Sequence, residues 1–240
     1  DLMSASDDYQ DDVVDTIQEV IVPKLQDEDT DEDVRDVLLS CLLKLSGNDA
    51  IAETLQSLVS NMVRWLEKNP ENHAVVGVLV AATGNRKNIR VLEKQELPKK
   101  VSLALPEARS SADMVRYLHL LKIVQNMARD DAKSAATFKK FKVHTDLIKE
   151  TLQLLGPKKG LNDNMIEKLV ATMSTVDALM THEPSVAQEA VKRKYHEQLA
   201  YIHLLDGIHP LLISACFNGV LSILQADLPD DEILTNQMEL

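Results

Sequence analysis

The sequence predicts an all-α fold, and within that class a right-handed α-solenoid of about four helical repeats. Three observations carry this. Of the 240 residues 45% are hydrophobic but only 3% aromatic, with 7 Gly and 8 Pro, a balance that suits stacked helices better than turn-rich sheets. Apolar residues recur at helical spacing along most of the chain. Residues 42–48, 78–85 and 123–130 also share one order: an apolar helix ends, a Gly/Asn/Asp turn follows, and a small helix leads into a second apolar run. These turns recur after roughly 37 and then roughly 45 residues, near the period of about 40–47 that marks repeated helical units.

Residues 1–32 read as an acidic N-terminal segment, partly flexible, with one short helix over 13–25, where Val13, Ile17, Val20 and Ile21 share a face and Pro23 marks the end of regular turns. Residues 33–224 read as the repeat domain and 225–240 as an acidic tail, with Leu228-Pro229-Asp230-Asp231 capping a small helix or a free end. Within the domain, 33–46 forms a helix whose acidic start favours the N-terminal dipole, and 50–66 gives a short helix and a longer one. Residues 73–83 are almost wholly apolar or small, as in a helix covered on most sides. A short helix over 85–94 follows, then one opened by Pro98 and closed by Pro106. Residues 113–128, 133–140 and 144–155 continue the series up to a Gly-Pro-Lys-Lys-Gly break at 156–160. Helices over 165–180, 186–205 and 210–224 complete it.

Charge is unevenly placed. Residues 1–36 hold fourteen Asp/Glu against Lys24 and Arg35, residues 86–168 carry a net +8, and residues 169–240 a net −7. Such asymmetry bears on partners rather than on fold. Cys41 and Cys216 form no metal or disulfide pattern, which fits a reducing, cytoplasmic setting. Residues 207–226 lack charged side chains, yet Pro210, Asn218 and Gly219 fit a buried terminal helix better than a membrane span.

Catalytic and metal chemistry find little support. The Asp-rich run at 27–33 lacks the Gly at its sixth position and the Glu at its twelfth that a calcium loop needs. His196-Glu197 has no second His to complete a zinc helix, Pro184 breaks the helix after His182-Glu183, and His203 and His209 have no third ligand at metal spacing. No phosphate-cradling Gly loop or nucleophile elbow is present. The sequence therefore predicts no enzyme, no cofactor and no metal. Nucleic acid is a poor partner, because the basic middle lacks aromatic platforms and the chain is acidic overall.

Gln125-Asn126-Met127-Ala128-Arg129-Asp130 resembles the end of a third helix in the armadillo-repeat family. The segments beginning Val143-His144-Thr145-Asp146-Leu147 and Gly207-Ile208-His209-Pro210-Leu211 resemble that family's second-helix motif, and Leu97-Pro98-Lys99-Lys100-Val101 is a weaker copy. The resemblance covers roughly residues 33 to 224, and HEAT-like repeats share its character. It implies a superhelix whose third helices line a concave groove for extended peptides or partner helices. Import adaptors of this family grip basic cargo through repeated Trp-x-x-x-Asn. Here the single Trp stands in reverse order, Asn61-x-x-x-Trp65, and Lys44 and Ala81 occupy the positions matching Asn126.

On 113–128, Arg116, His119, Lys122, Asn126 and Arg129 recur at intervals of three or four and read as one polar, mainly basic stripe, with Tyr117, Leu120, Leu121, Val124 and Met127 behind. A basic stripe on a third helix points to an acidic peptide or helix as partner, with Asn126 available to a peptide backbone. The function expected is a non-enzymatic scaffold or adaptor. Other openings are a regulator of a small GTPase or chaperone, by analogy with formins, exchange factors and co-chaperones, and an all-α enzyme with a dispersed site. Partner identity and oligomeric state are left open.

Overall fold

The computed structural model describes residues 12–27, 29–45, 54–111, 113–155, 161–202 and 209–226. Residues 1–11, the expected turn at Gly47-Asn48, the expected break at 156–160, Gly207-Ile208 and the expected tail cap lie outside these residues. A π-helical turn, Ile17–Ile21, runs into α1 (Val22–Gln26), followed by α2 (Glu32–Leu45). A 3₁₀ turn, Leu55–Leu58, leads into α3 (Val59–Lys68), then α4 (His73–Thr83), α5 (Arg86–Lys94), α6 (Leu97–Ser110) and α7 (Met114–Asp130). Next come α8 (Ala132–Lys140), α9 (Val143–Leu154), α10 (Asp163–Met180), α11 (Pro184–Lys192), α12 (Tyr195–Ile202) and α13 (Pro210–Gln225). Among the described residues there is no strand.

The helices fall into triplets of a short, a middle and an inner member: α5–α6–α7, α8–α9–α10 and α11–α12–α13. The α3–α4 pair and α1–α2 precede them. Asn or Asp opens many members because a short side-chain oxygen satisfies amides that have no partner within the helix. Asn72, Asn85, Asp113, Asp131 and Asn162 accept from backbone N–H groups of α4, α5, α7, α8 and α10.

Each short helix meets its middle helix at a sharp corner in the left-handed region: Glu96 at φ 59°, Lys142 at φ 60° and Lys194 at φ 57°. A buried Leu97, Val143 or Tyr195 follows the corner, and Val101, Leu147 or Leu199 is buried one turn further on. Lys194 corrects the expectation of one helix over 186–205: the described part, to Ile202, is two helices. It also moves the last second-helix motif to α12, since Pro210 opens an inner helix instead. The left-handed conformation costs a non-glycine residue roughly 1–2 kcal/mol, part of which glycine returns in unfolded-state entropy. Lys142→Gly is therefore expected to raise stability by about 0.5–1 kcal/mol, read as a higher urea midpoint at unchanged slope. A lower midpoint would show that the lysine's own contacts outweigh the strain.

Both helix-interior prolines correct the expected boundaries. Pro23 follows a wide π turn and the helix continues to Gln26, while α6 runs through Pro106 to Ser110. Pro106 is exposed, and burial of Val101, Leu105 and Ala108 holds the helix on either side of the missing N–H.

One hydrophobic core runs from Ile17 to Ile223. It crosses residue 33 without a break: Ile17, Ile21, Val22 and Leu25 belong to it, and Gln26 Nε2 donates to the Ser57 carbonyl at 3.2 Å. The inner helices α2, α4, α7, α10 and α13 pack each on the next, the middle helices α3, α6, α9 and α12 back them, and the short helices wedge between successive units. Trp65 is buried on α3 with the Arg35 guanidinium 5.7 Å from its ring centre, so it belongs to the outer layer and not to a groove. Cys41 on α2 and Cys216 on α13 are free thiols at opposite ends of the inner row. At about 8–10 Å per helix they lie far beyond disulfide reach.

Candidate functional site: the inner-helix groove

In a solenoid the inner row lines the concave face, and α7 is its middle member. Of the five stripe residues on α7, Lys122 and Arg129 are exposed, His119 and Asn126 half-buried, and Arg116 only 2% exposed. Arg116 is thus turned away from the face the sequence reading gave it, and its Nη2 lies 3.5 Å from Glu107 Oε2 on α6. The reason is angular. At about 100° per residue, two successive steps of three rotate the stripe by roughly 120°, which carries Arg116 off the face that Lys122, Asn126 and Arg129 share. Val115, 55% exposed, stands closer to that face.

Asn126 points sideways. Its Nδ2 donates to Thr83 Oγ1 at 3.1 Å and to the Val80 carbonyl at 3.3 Å, both on α4. Gln125 does the same toward α10, where its Nε2 donates to the Ala171 carbonyl and to Thr175 Oγ1, each at 3.1 Å. His119 is half-buried, its Nδ1 meets no partner, and burial lowers its pKa, with His73 adding to the shift and Asp113 opposing it. His73 Nε2 lies 3.0 Å from Asp113 Oδ2, so this histidine joins the start of α4 to the N-cap of α7.

A groove opens between α7, α10 and the start of α13, with Leu118, Ile166, Val170 and Leu211 forming its apolar floor and rim. Lys122 stands on the α7 side, Asp163 and Glu167 on the α10 side. Sequence reading found only the α7 wall. Ile166, Val170 and Leu211 sit on other helices, and their shared signal, apolar residues on the more polar face of an inner helix, becomes legible once the helices are aligned. The groove is therefore two-signed, where the stripe alone suggested a basic one.

Behind the groove, Tyr117 donates to Glu150 Oε2, Lys168 Nζ lies 2.6 Å from Glu150 Oε1, and the same ammonium sits 5.0 Å from the Tyr117 ring centre. This buried cluster ties α7, α9 and α10. On α9 and α11, His144 Nε2 and Thr145 Oγ1 both reach Glu189, as does Arg193. Burial would raise the Glu189 pKa, but these hydrogen bonds and the His144 charge outweigh it and hold it low. Both clusters join neighbouring units; neither places a nucleophile beside a base in an open cleft. Among the described residues no three His, Cys, Asp or Glu side chains gather as a metal site, and no helix is long and apolar enough to cross a membrane.

The class this arrangement defines is an armadillo-like helical repeat solenoid. It superposes on a designed armadillo repeat protein at TM-score 0.66, with 12% identity over 88% of this chain and 85% of the other. It also matches an engineered protein determined as a structural-genomics target, at TM-score 0.66 with 15% identity over 87% of this chain and 80% of the other. At such identities the likeness concerns the fold alone. No family model matches the sequence, and no curated protein does so.

Proposed function

We propose that this chain is a non-enzymatic interaction scaffold or adaptor that holds a partner peptide or helix in the concave groove formed by α7, α10 and α13. The observation that carries the reading is an apolar groove floor flanked by charges with no ion-pair partner among the described residues: Lys122 and, further along α7, Arg129 on one side, Asp163 and Glu167 on the other. A solenoid whose buried charged groups are paired between neighbouring units, with an unspent charged groove beside them, is suited to recognise a surface. The groove supports a partner carrying acidic groups toward α7, as the stripe suggests, and basic groups toward α10.

The test is a combined Lys122→Glu and Arg129→Glu variant, with Lys149→Glu on the exposed face of α9 as control. Exposed charges contribute only about 0–1 kcal/mol to folding, so the melting temperature should hardly move. Partners crosslinked through a photoreactive residue at position 115, exposed near the same face, are expected to lose at least tenfold in affinity for the double variant and to keep it for the control. Equal loss with the control, or retention by the double variant, would place binding elsewhere.

A further inference from the structure

The polar side chains of the inner row serve as rungs between its helices. Asn72 Nδ2 donates to Asp36 Oδ1 at 2.8 Å, joining α2 and α4. Asn126 joins α4 and α7, Gln125 joins α7 and α10, and Ser222 Oγ donates to Asp177 Oδ1 between α10 and α13. Every adjacent pair in the row thus has such a rung. The amide N–H groups of Asn126 and Gln125, which an extended peptide lying in the groove would need for its carbonyls, are already committed to α4 and α10.

An extended chain brings one unpaired N–H and one unpaired C=O per residue into the groove, and leaving such groups without partners costs about 1–3 kcal/mol each once buried. A helix brings none, because its amides are satisfied internally. What the groove does offer is side-chain recognition: the apolar strip of Leu118, Ile166, Val170 and Leu211, between Lys122 on one wall and Asp163 and Glu167 on the other. Asp163 and Glu167 are one helical turn apart and both exposed, so they present two carboxylates along one edge.

We infer that the ligand of this groove is an amphipathic α-helix and not an extended peptide, seated with its apolar stripe on Leu118, Ile166, Val170 and Leu211, an acidic flank against Lys122 and a basic flank against Asp163 and Glu167. This rests on the concave-groove reading and deepens it to a partner class. The two flanks fix the helix direction, since reversing it in the groove exchanges the charges it meets.

A phage-displayed library of random peptides as long as α10, selected on the whole chain and counter-selected on a Leu211→Asp/Lys122→Glu variant, separates the outcomes. Expected binders carry apolar residues at helical three- and four-residue spacing with opposite charges on the two flanks. They also lose roughly 100-fold in affinity when a central residue becomes proline, the penalty of proline inside a helix. Groove-dependent binders that tolerate the proline and show no helical spacing would overturn this inference while leaving the concave groove as the binding face. No groove-dependent binder at all would overturn both. Leu211 is 61% exposed, so its substitution leaves the core untouched, and circular dichroism of the counter-selection variant confirms its fold.

Discussion

Removal of residues 1–26 is expected to unfold the first unit of the solenoid while leaving the last three standing. The helical stretch before Asp27 looks from its charge like a solubilising segment, yet it places Ile17 at 0%, Leu25 at 1%, Val22 at 7% and Ile21 at 9% exposure against the core. Full burial of each such side chain contributes about 1.5–3 kcal/mol, so the group of four represents on the order of 6–12 kcal/mol, comparable with the whole stability of many domains. In a quasi-linear fold that loss falls on the nearest neighbours. Amide hydrogen exchange should show α2 and α3 losing protection, with α7 to α13 keeping theirs. Unchanged protection in α2 and α3 would mean that the N-terminal helix is dispensable. Leu25→Ala alone should cost about 2–5 kcal/mol.

Loss of the Glu150 carboxylate should be nearly as damaging. Its side chain is 8% exposed and that of Lys168 18%, and it also accepts the Tyr117 hydroxyl. Glu150→Ala leaves a largely buried ammonium and a buried phenol without their acceptor, an expected cost of about 3–5 kcal/mol in urea unfolding. A Glu150→Leu/Lys168→Met double variant removes both charges and should recover most of that loss. A single-variant cost below about 1 kcal/mol would show that water replaces the carboxylate. Burial first, and then the Glu150 hydrogen bond and charge, push the Tyr117 phenol far above its ordinary value near 10. The folded state therefore keeps a proton that the unfolded state releases. Its contribution is complete below about pH 10 and is lost as the pH rises beyond it.

Much of the architecture is legible residue by residue. Asn85 and Asp113 read as helix starts and cap helices, because a short acceptor before an apolar run has one efficient use. Tyr117, Leu120, Leu121, Val124 and Met127 read as the buried face of α7 and are buried. The corners are less legible. Left-handed corners commonly announce themselves through glycine, and here Glu96, Lys142 and Lys194 hold the conformation instead. The last of them vanished inside an apparently continuous helix. Pro106 misled in the opposite sense, since a local breaker was overruled by packing on both sides.

The candidate site divides along the same line. Lys122 and Arg129 read as one polar face from spacing within one helix, and both are exposed. Arg116 lies roughly 120° round α7 from Lys122, which spacing within one helix already shows, and the packing of α6 beside it buries that side. Asn126 and Gln125 look identical in sequence to amides waiting for a ligand; their donors are spent on helices more than forty residues away.

The sequence by itself determined the all-α class, most helix starts and the buried face of α7, because these follow from propensities and periodicities that act within a few turns. Tertiary structure alone decided that residues before Asp27 complete the core, that the groove has an acidic wall facing its basic one, and that its amides hold helices together. Those outcomes depend on which helix lies beside which, and the chain's local chemistry carries no measure of that distance.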